Sequence, residues 1–226
     1  MKILAIETST LIGGVCIFDG DKLIADGRLG IRAIHSERLM THIDFLLNSA
    51  NLSIYDIDYF AVAIGPGSFT GLRVGIATVK GLAFATNRLI APVSTLEALA
   101  LNVACTDRQI CPILDARKGE LYAGVYKNTD GALSTIIQEI VLPPTELIRL
   151  IKEKTIFLGD GVKMYGDMLK DALGDMVEFI HDIHMYPSAT NVAFLAKQKV
   201  IHGELISAQD LTPQYIRKSE AEIRFG

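Results

Sequence analysis

The pattern of hydrophobic and polar residues in the first half of the chain predicts three strands, followed by alternating helices and strands. Short apolar, β-prone runs bounded by turn residues predict strands, and apolar positions three and four residues apart predict helices. The predicted order is β-β-β-α-β-α-β-α. The segments are, in turn, 2–7, 13–18, 22–29, 35–50, 59–64, 69–86, 89–93 and 95–104.

The second half opens with the same kinds of element in the same order. A hairpin is predicted around residues 116–119, and a third strand, a helix, a strand and two helices follow it. These segments are 109–115, 120–126, 134–142, 143–151, 155–158, 161–173 and 191–202. Two halves that each begin with a three-stranded meander predict a duplicated α/β fold with two subdomains. We expect the boundary near residues 105–108, with subdomains 1–105 and 106–226.

A glycine-rich turn, Gly65-Pro66-Gly67, joins the strand at 59–64 to the helix at 69–86. Ser68 follows it and is expected to cap the helix by accepting a hydrogen bond from a backbone N–H two or three residues on. Such a turn can also hold a phosphate, because helix N-termini present free N–H groups. Neither a Gly-Lys-Ser/Thr sequence nor the spacing Gly-x-Gly-x-x-Gly is present, so phosphate binding is not expected here.

The helix at 69–86 carries only two charged residues, Arg73 and Lys80, so it is predicted to be buried on more than one side. Its core-facing stripe consists of Leu72, Ile76, Val79 and Ala83. A second face consists of small residues, namely Gly71, Gly75, Thr78 and Ala85. Two interpretations of this small face remain open: it packs within the core of the chain, or it meets a partner subunit.

Composition and charge limit the classes of function. Half of the 226 residues are hydrophobic, and 21% are charged, which is typical of a globular protein. The net charge of −4 gives no general attraction to nucleic acid, so strong tRNA binding by this chain alone is not expected. Cys16 and Cys111 lie in apolar runs and are predicted to be buried thiols. The early Glu7 argues against a signal peptide, and no apolar run is long enough to span a membrane, so we expect a soluble cytosolic protein.

Candidate catalytic groups are few. His181 and His184 form the one close histidine pair, and Asp182 makes a metal site conceivable there, although solvent-exposed loop histidines are the favoured interpretation. Asp115 and Glu120 could act as an acid/base pair across the hairpin, but a structural role in the turn is favoured. No Ser-His-Asp or Cys-His set can be assembled from the sequence. No cofactor is predicted.

Five motifs together resemble the bacterial TsaB (YeaZ) family, within the actin-like and sugar-kinase superfamily of duplicated RNase H-like folds. They are ILAIETS at 3–9, GPGSFTGLRVG at 65–75, PVSTL at 92–96, LDARKGELY at 114–122 and PQYIR at 213–217. The resemblance covers nearly the whole chain. It implies a role in making threonylcarbamoyladenosine on tRNA, next to the anticodon, as the paralogue that supports the transferase TsaD, with the ATPase TsaE joining the complex.

The catalytic paralogue TsaD carries a His-x-x-x-His metal pair in the corresponding helix. By the resemblance, Thr95 and Leu99 occupy the two ligand positions here, and leucine cannot bind a metal. A non-catalytic subunit is therefore expected, with no metal site. The alternatives are a divergent ATPase or small-molecule kinase of the actin-like superfamily, which the missing phosphate-loop glycines oppose, and a peptidase, which lacks both a nucleophile set and metal ligands.

A partner-binding surface is predicted on the helices at 35–50 and 69–86. The partner would be TsaD or a second copy of the chain, and tRNA would be met only through the complex. The residues assigned to this surface are His35, Arg38, Phe69, Thr70, Gly71, Gly75 and Thr78.

Overall fold

The computed structural model describes residues 1–30, 36–103, 105–129 and 132–217. These residues form two compact units. The first unit comprises Met1–Ala98 and Pro187–Pro213, and the second comprises Leu99–Tyr186 and the chain from Gln214 onward.

Each unit contains a five-stranded mixed sheet and its helices. The strands are β1 Lys2–Glu7, β2 Ile12–Asp19, β3 Lys22–Gly30, β4 Tyr59–Gly65, β5 Ile90–Ser94, β6 Gln109–Arg117, β7 Glu120–Thr129, β8 Ala132–Leu142, β9 Thr155–Leu158 and β10 Val177–Phe179. The helices are α1 Ser36–Ser49, α2 Phe69–Thr86, α3 Thr95–Ala100, α4 Pro144–Leu150, α5 Val162–Leu173 and α6 Ala189–His202.

The two sheets have the same topology. The first has the strand order β3-β2-β1-β4-β5, and the second, viewed from its other edge, has the order β8-β7-β6-β9-β10. In each, the first strand is antiparallel to the second and parallel to the fourth. The predicted duplicated α/β fold is therefore confirmed.

Both faces of the first sheet are buried. On one face, Leu4 and Ile6 of β1 join a core with apolar residues of α1 and α2, among them Leu39 and Leu72. Helix α6 packs against β1, β2 and β5. A Cβ added at Gly14, which pairs with Glu7 across β1 and β2, would lie 3.7 Å from the Cβ of Ala189. Because cross-strand partners share a face, Glu7 points to the side that α6 covers.

The predicted subdomain boundary is wrong in two respects. The first unit ends at Ala98 rather than near residue 105. It also includes the later segment Pro187–Pro213, which lies within the predicted second subdomain, 106–226. Small apolar residues explain the return of this segment, because Ala189, Val192 and Ala193 of α6 are buried. The side-chain amide of Asn191 also donates to the carbonyl of Ala98 at 2.9 Å.

Several local predictions are confirmed, and one strand was missed. Cys16 and Cys111 are buried, as their apolar surroundings predicted. The helix predicted at 95–104 is shorter, with α3 ending at Ala100 and a 3-10 turn following. Strand β10 was not predicted, because its three residues give too short a run for any periodicity.

Candidate functional site

The first turn of α2 is fixed by hydrogen bonds to the segment that follows β1. The Ser68 hydroxyl accepts from the N–H of Gly71 at 3.3 Å, which confirms the predicted cap. The N–H of Ser68 donates to the carbonyl of Ser9 at 2.7 Å. The Thr8 hydroxyl donates to the carbonyl of Gly71 at 2.8 Å. Two of the amides that a phosphate could use at this turn are thus bonded within the chain.

Gly71 and Gly75 contact Thr8 of the same chain. A Cβ added at Gly71 would overlap the backbone oxygen of Thr8, and one added at Gly75 would overlap the Thr8 hydroxyl. Gly75 is buried, and Gly71 is half-buried. The prediction that α2 exposes these two glycines to a partner is therefore wrong. Their lack of a side chain lets α2 approach the end of β1, which is the internal interpretation of the small face.

The exposed face of α2 is largely apolar. Phe69 and Thr70 are exposed at its start, and Thr78 is half-buried. The guanidinium of Arg73 lies over the ring of Phe69, 3.8 Å from its centroid. Further along, Phe84 exposes 75% of its surface. This face also carries Ala77, Gly81 and Ala85.

Helix α1 packs beside α2 and also exposes large apolar side chains. Arg38 and Met40 are exposed, and Phe45 exposes 63% of its surface. His42 fixes the helix on the sheet, because a side chain at Gly27 of β3 would overlap its imidazole. His35, also assigned to the partner surface, lies outside the described residues. We call the exposed set Arg38, Met40, Phe45, Phe69, Thr70 and Phe84 the α1–α2 surface.

Glu7 lies at the carboxyl end of β1 with no exposed surface. Its Oε1 accepts hydrogen bonds from the backbone N–H and the hydroxyl of Ser9, each at 2.5 Å. Its Oε2 has no hydrogen-bond partner among the described residues. Burial raises the pKa of Glu7 from its usual 4.5 to about 7, against the opposing effect of the two bonds from Ser9.

The two positions compared with the transferase metal ligands are both buried. Thr95 and Leu99 are fully buried, and the Thr95 hydroxyl has no partner among the described residues. His181 caps a 3-10 turn by accepting, through Nδ1, from the N–H of Ile183 at 3.4 Å. Within the described ranges, no group of three or more His, Cys, Asp or Glu side chains could hold a metal ion.

Asp115 and Glu120 have separate arginine partners in the hairpin between β6 and β7. Asp115 accepts from the backbone N–H of Arg117 at 2.8 Å and pairs with its guanidinium at 3.1 Å. Glu120 pairs with Arg217 at 3.0 Å, and Arg217 also donates to the carbonyl of Ala116 at 2.7 Å. These contacts agree with the structural role in the turn.

In the part of the chain that the structure describes, no helix combines the length and the apolar character needed to cross a membrane.

Comparison with known proteins gives consistent matches over the whole chain. Residues 31–225 match the family model described as TsaD, tRNA N6-adenosine threonylcarbamoyltransferase. The tRNA threonylcarbamoyladenosine biosynthesis protein TsaB of Bacillus subtilis is 34% identical, over 100% of this chain and 98% of that protein. The solved structure of YeaZ from Pseudomonas aeruginosa superposes with a TM-score of 0.83 at 28% identity, covering 95% of this chain and 99% of the other.

A shorter match links the chain to the catalytic enzyme. The tRNA N6-adenosine threonylcarbamoyltransferase of Brucella ovis is 40% identical over 80 residues, which are 35% of this chain and 22% of that enzyme. This pairwise match covers only a segment of the enzyme, whereas the matches to the TsaB and YeaZ relatives cover nearly the full length of both chains.

Met40, Phe45 and Phe84 of the α1–α2 surface were not predicted from the sequence. For Phe84, the scarcity of charge on α2 was the available indication, since a helix that is apolar nearly all round exposes some apolar residues unless every side is covered. Glu7 was also missed as a buried acid. An acidic residue that ends a continuous apolar run and precedes Thr8 and Ser9 was the indication there.

Proposed function

We propose that this chain, which belongs to the TsaB family of tRNA threonylcarbamoyladenosine biosynthesis proteins, is an accessory subunit of the TsaD-type threonylcarbamoyltransferase. It binds the catalytic subunit in the cytoplasm and supports transfer of the threonylcarbamoyl group to the tRNA adenosine next to the anticodon. It meets tRNA only as part of that complex.

The observation that carries the proposal is the α1–α2 surface. Large apolar side chains are usually buried, and a group of them on two adjacent helices is typical of a protein–protein contact. Aromatic residues and arginine are enriched at such contacts, and both occur here in Phe69, Phe84 and Arg38. The partner that fits is a protein with a complementary apolar helix face.

A catalytic role is disfavoured by the residues at the metal-ligand positions. The resemblance places Thr95 and Leu99 where the transferase carries its histidines. Both are buried, and leucine offers no donor atom. The chain would therefore act by contact, through the conformation or stability of its partner.

A reconstituted modification assay tests the proposal. TsaD from the same organism is supplied with threonylcarbamoyl-adenylate and unmodified tRNA, and the modified nucleoside is measured with and without this chain. We expect modification to require the chain or to rise by at least about tenfold with it, which corresponds to about 1.4 kcal/mol. Modification by this chain without TsaD would show instead that it is itself an enzyme.

The same surface offers a second mode of association. A two-fold dimer brings one patch against its own copy, so a homodimer of this chain would compete with TsaD for the α1–α2 surface. A TsaE-type ATPase would then join the complex with TsaD rather than the homodimer. Light scattering over a concentration series, with and without TsaD, measures this competition: TsaD should convert homodimer into mixed complex, and a homodimer that persists beside bound TsaD would refute it.

A further inference from the structure

Glu7 is a buried acid connected to the start of α2 by a short chain of contacts. Its Oε1 holds both donors of Ser9. The carbonyl of Ser9 accepts the N–H of Ser68, the cap of α2. Any shift of Ser9 therefore breaks or moves the contact that fixes the first turn of the helix.

The segment Thr8–Ser9 packs closely against the start of α2. A Cβ added at Gly67 would lie 2.5 Å from the carbonyl oxygen of Ser9 and 2.8 Å from its Cβ. Thr8 fills the space beside Gly71 and Gly75 and bonds to the Gly71 carbonyl. Because interiors so closely packed do not deform smoothly, movement of Thr8 and Ser9 displaces the first turn of α2.

We propose that proton binding by Glu7 regulates partner association: the protonated carboxyl keeps the first turn of α2 in its binding arrangement, and ionisation releases it. Phe69 and Thr70 of the α1–α2 surface lie on that turn, so their positions depend on the state of Glu7. This inference rests on the proposed function, because its output is binding of TsaD.

The geometry explains the direction. An ionised carboxylate needs partners for both oxygens, and Oε2 has none among the described residues. An uncompensated charge in a protein interior is costly, and opening of the segment 8–10, which carries the two donors to Glu7, relieves the cost by letting water reach the carboxylate. Thr8, Ser9 and Thr10 are all buried, so opening this segment disrupts its contacts with α2.

Within the part of the chain that the structure describes, no cation offsets the charge of Glu7. On the elements packed around it, Lys197 of α6 pairs with Asp21, Arg28 of β3 lies 3.9 Å from Asp26, and Asp19 of β2 pairs with the terminal amine and Lys2. The other charged or titratable groups on these elements are Cys16, Lys22, Tyr59, Arg73, Lys80, Glu97, Lys199 and His202. Among the described residues, only burial and the bonds from Ser9 shift the pKa of Glu7.

Calorimetric titration of TsaD with the full chain, from pH 6 to pH 8.5, tests the proposal. For the unchanged chain we expect the Kd to rise by at least about threefold across this range, since one linked proton changes affinity by at most about tenfold per pH unit. Glu7→Gln mimics the protonated form and should remove most of this rise. The matched control is Glu146→Gln, an exposed acid on α4, which should behave as the unchanged chain does.

The outcomes separate this inference from the proposed function. Absence of a complex at every pH would refute the proposed function itself. A complex whose pH dependence is the same for the unchanged chain and for Glu7→Gln would overturn the inference alone. If Glu7→Gln does not fold, hydrogen exchange of the backbone amides of residues 68–72 in the unchanged chain tests the inference instead. The measured rates are corrected for the intrinsic pH dependence of exchange. Protection should fall at least about threefold between pH 6 and pH 8.5, and constant protection would overturn the inference.

Discussion

Replacement of Gly75 by alanine probes the close contact between α2 and the end of β1. The new Cβ would overlap the hydroxyl of Thr8, while it would lie 3.4 Å from the Thr8 Cβ and 3.6 Å from Ile6 Cγ2. The last two distances are ordinary or nearly ordinary contacts. A single atom, Thr8 Oγ1, therefore causes the steric conflict.

The expected magnitude follows from three contributions. Overpacking a core costs about 1–3 kcal/mol. Turning the Thr8 hydroxyl away loses its hydrogen bond to Gly71, worth about 1 kcal/mol. Alanine is better than glycine in a helix interior by about 1 kcal/mol, which offsets that loss. Gly75→Ala should lower the free energy of unfolding by about 1–3 kcal/mol.

Two comparisons make the test specific. Gly81→Ala lies in the same helix with nothing within 4 Å of the added Cβ, so it should stabilise the chain by about 1 kcal/mol. Thr8→Ala removes the obstructing oxygen, so Gly75→Ala in that background should cost at least about 1 kcal/mol less than alone. Gly71→Ala meets the backbone oxygen of Thr8, and Thr8→Ala should not rescue it.

Urea unfolding followed by circular dichroism measures these differences. If Gly75→Ala stabilises the chain as Gly81→Ala does, the small face of α2 is not packed against Thr8. If Gly71→Ala and Gly75→Ala respond equally to Thr8→Ala, the distinction between backbone and side-chain contact fails.

Three further predictions concern acid, tRNA and metal. Because the pKa of Glu7 is raised to about 7 in the folded state, its protonated form stabilises the fold. This contribution to the free energy of unfolding is complete below pH 4.5 and is lost as the pH rises through about 7. Relative to Glu7→Gln, the free energy of unfolding should fall by about 3 kcal/mol across that range in urea unfolding, and parallel profiles would contradict this. With a net charge of −4, the chain alone should retain little tRNA in filter binding at physiological salt, and submicromolar affinity would contradict the charge argument. Because Thr95 and Leu99 stand at the ligand positions, elemental analysis after dialysis should find no stoichiometric zinc or iron, and a tightly bound metal would refute that expectation.

The repeated order of strands could be predicted because each opening strand is a continuous apolar run closed by a turn residue. Residues 2–7 and 109–115 illustrate this, since both lie at the centre of a sheet and are buried on both faces. The cap by Ser68 was also predictable, because capping depends on residues adjacent in the sequence.

Features that depend on distant residues could not be predicted. Helix α6 follows the second sheet in the sequence yet packs on the first, and its periodicity does not say which sheet its small residues face. The small face formed by Gly71 and Gly75 fits contact with a partner as well as contact with Thr8. Only the fold distinguishes these two interpretations. From the sequence pattern, an apolar residue such as Phe84 is predicted to lie in the core. Its exposure could not be predicted, because exposure depends on the surroundings of a residue rather than on its type.

Binding of TsaD to matched surface variants shows most directly whether this protein acts through the α1–α2 surface. Phe69→Asp and Phe84→Asp place a charge on the α1–α2 surface, and Met164→Asp places one at an exposed apolar residue of α5 in the other unit. Calorimetry should give a complex for the unchanged chain, at least about tenfold weaker binding for the two phenylalanine variants, and a Kd within about twofold for Met164→Asp. No complex with the unchanged chain, or equal affinities for all three variants, would contradict the proposal that this protein acts through the α1–α2 surface.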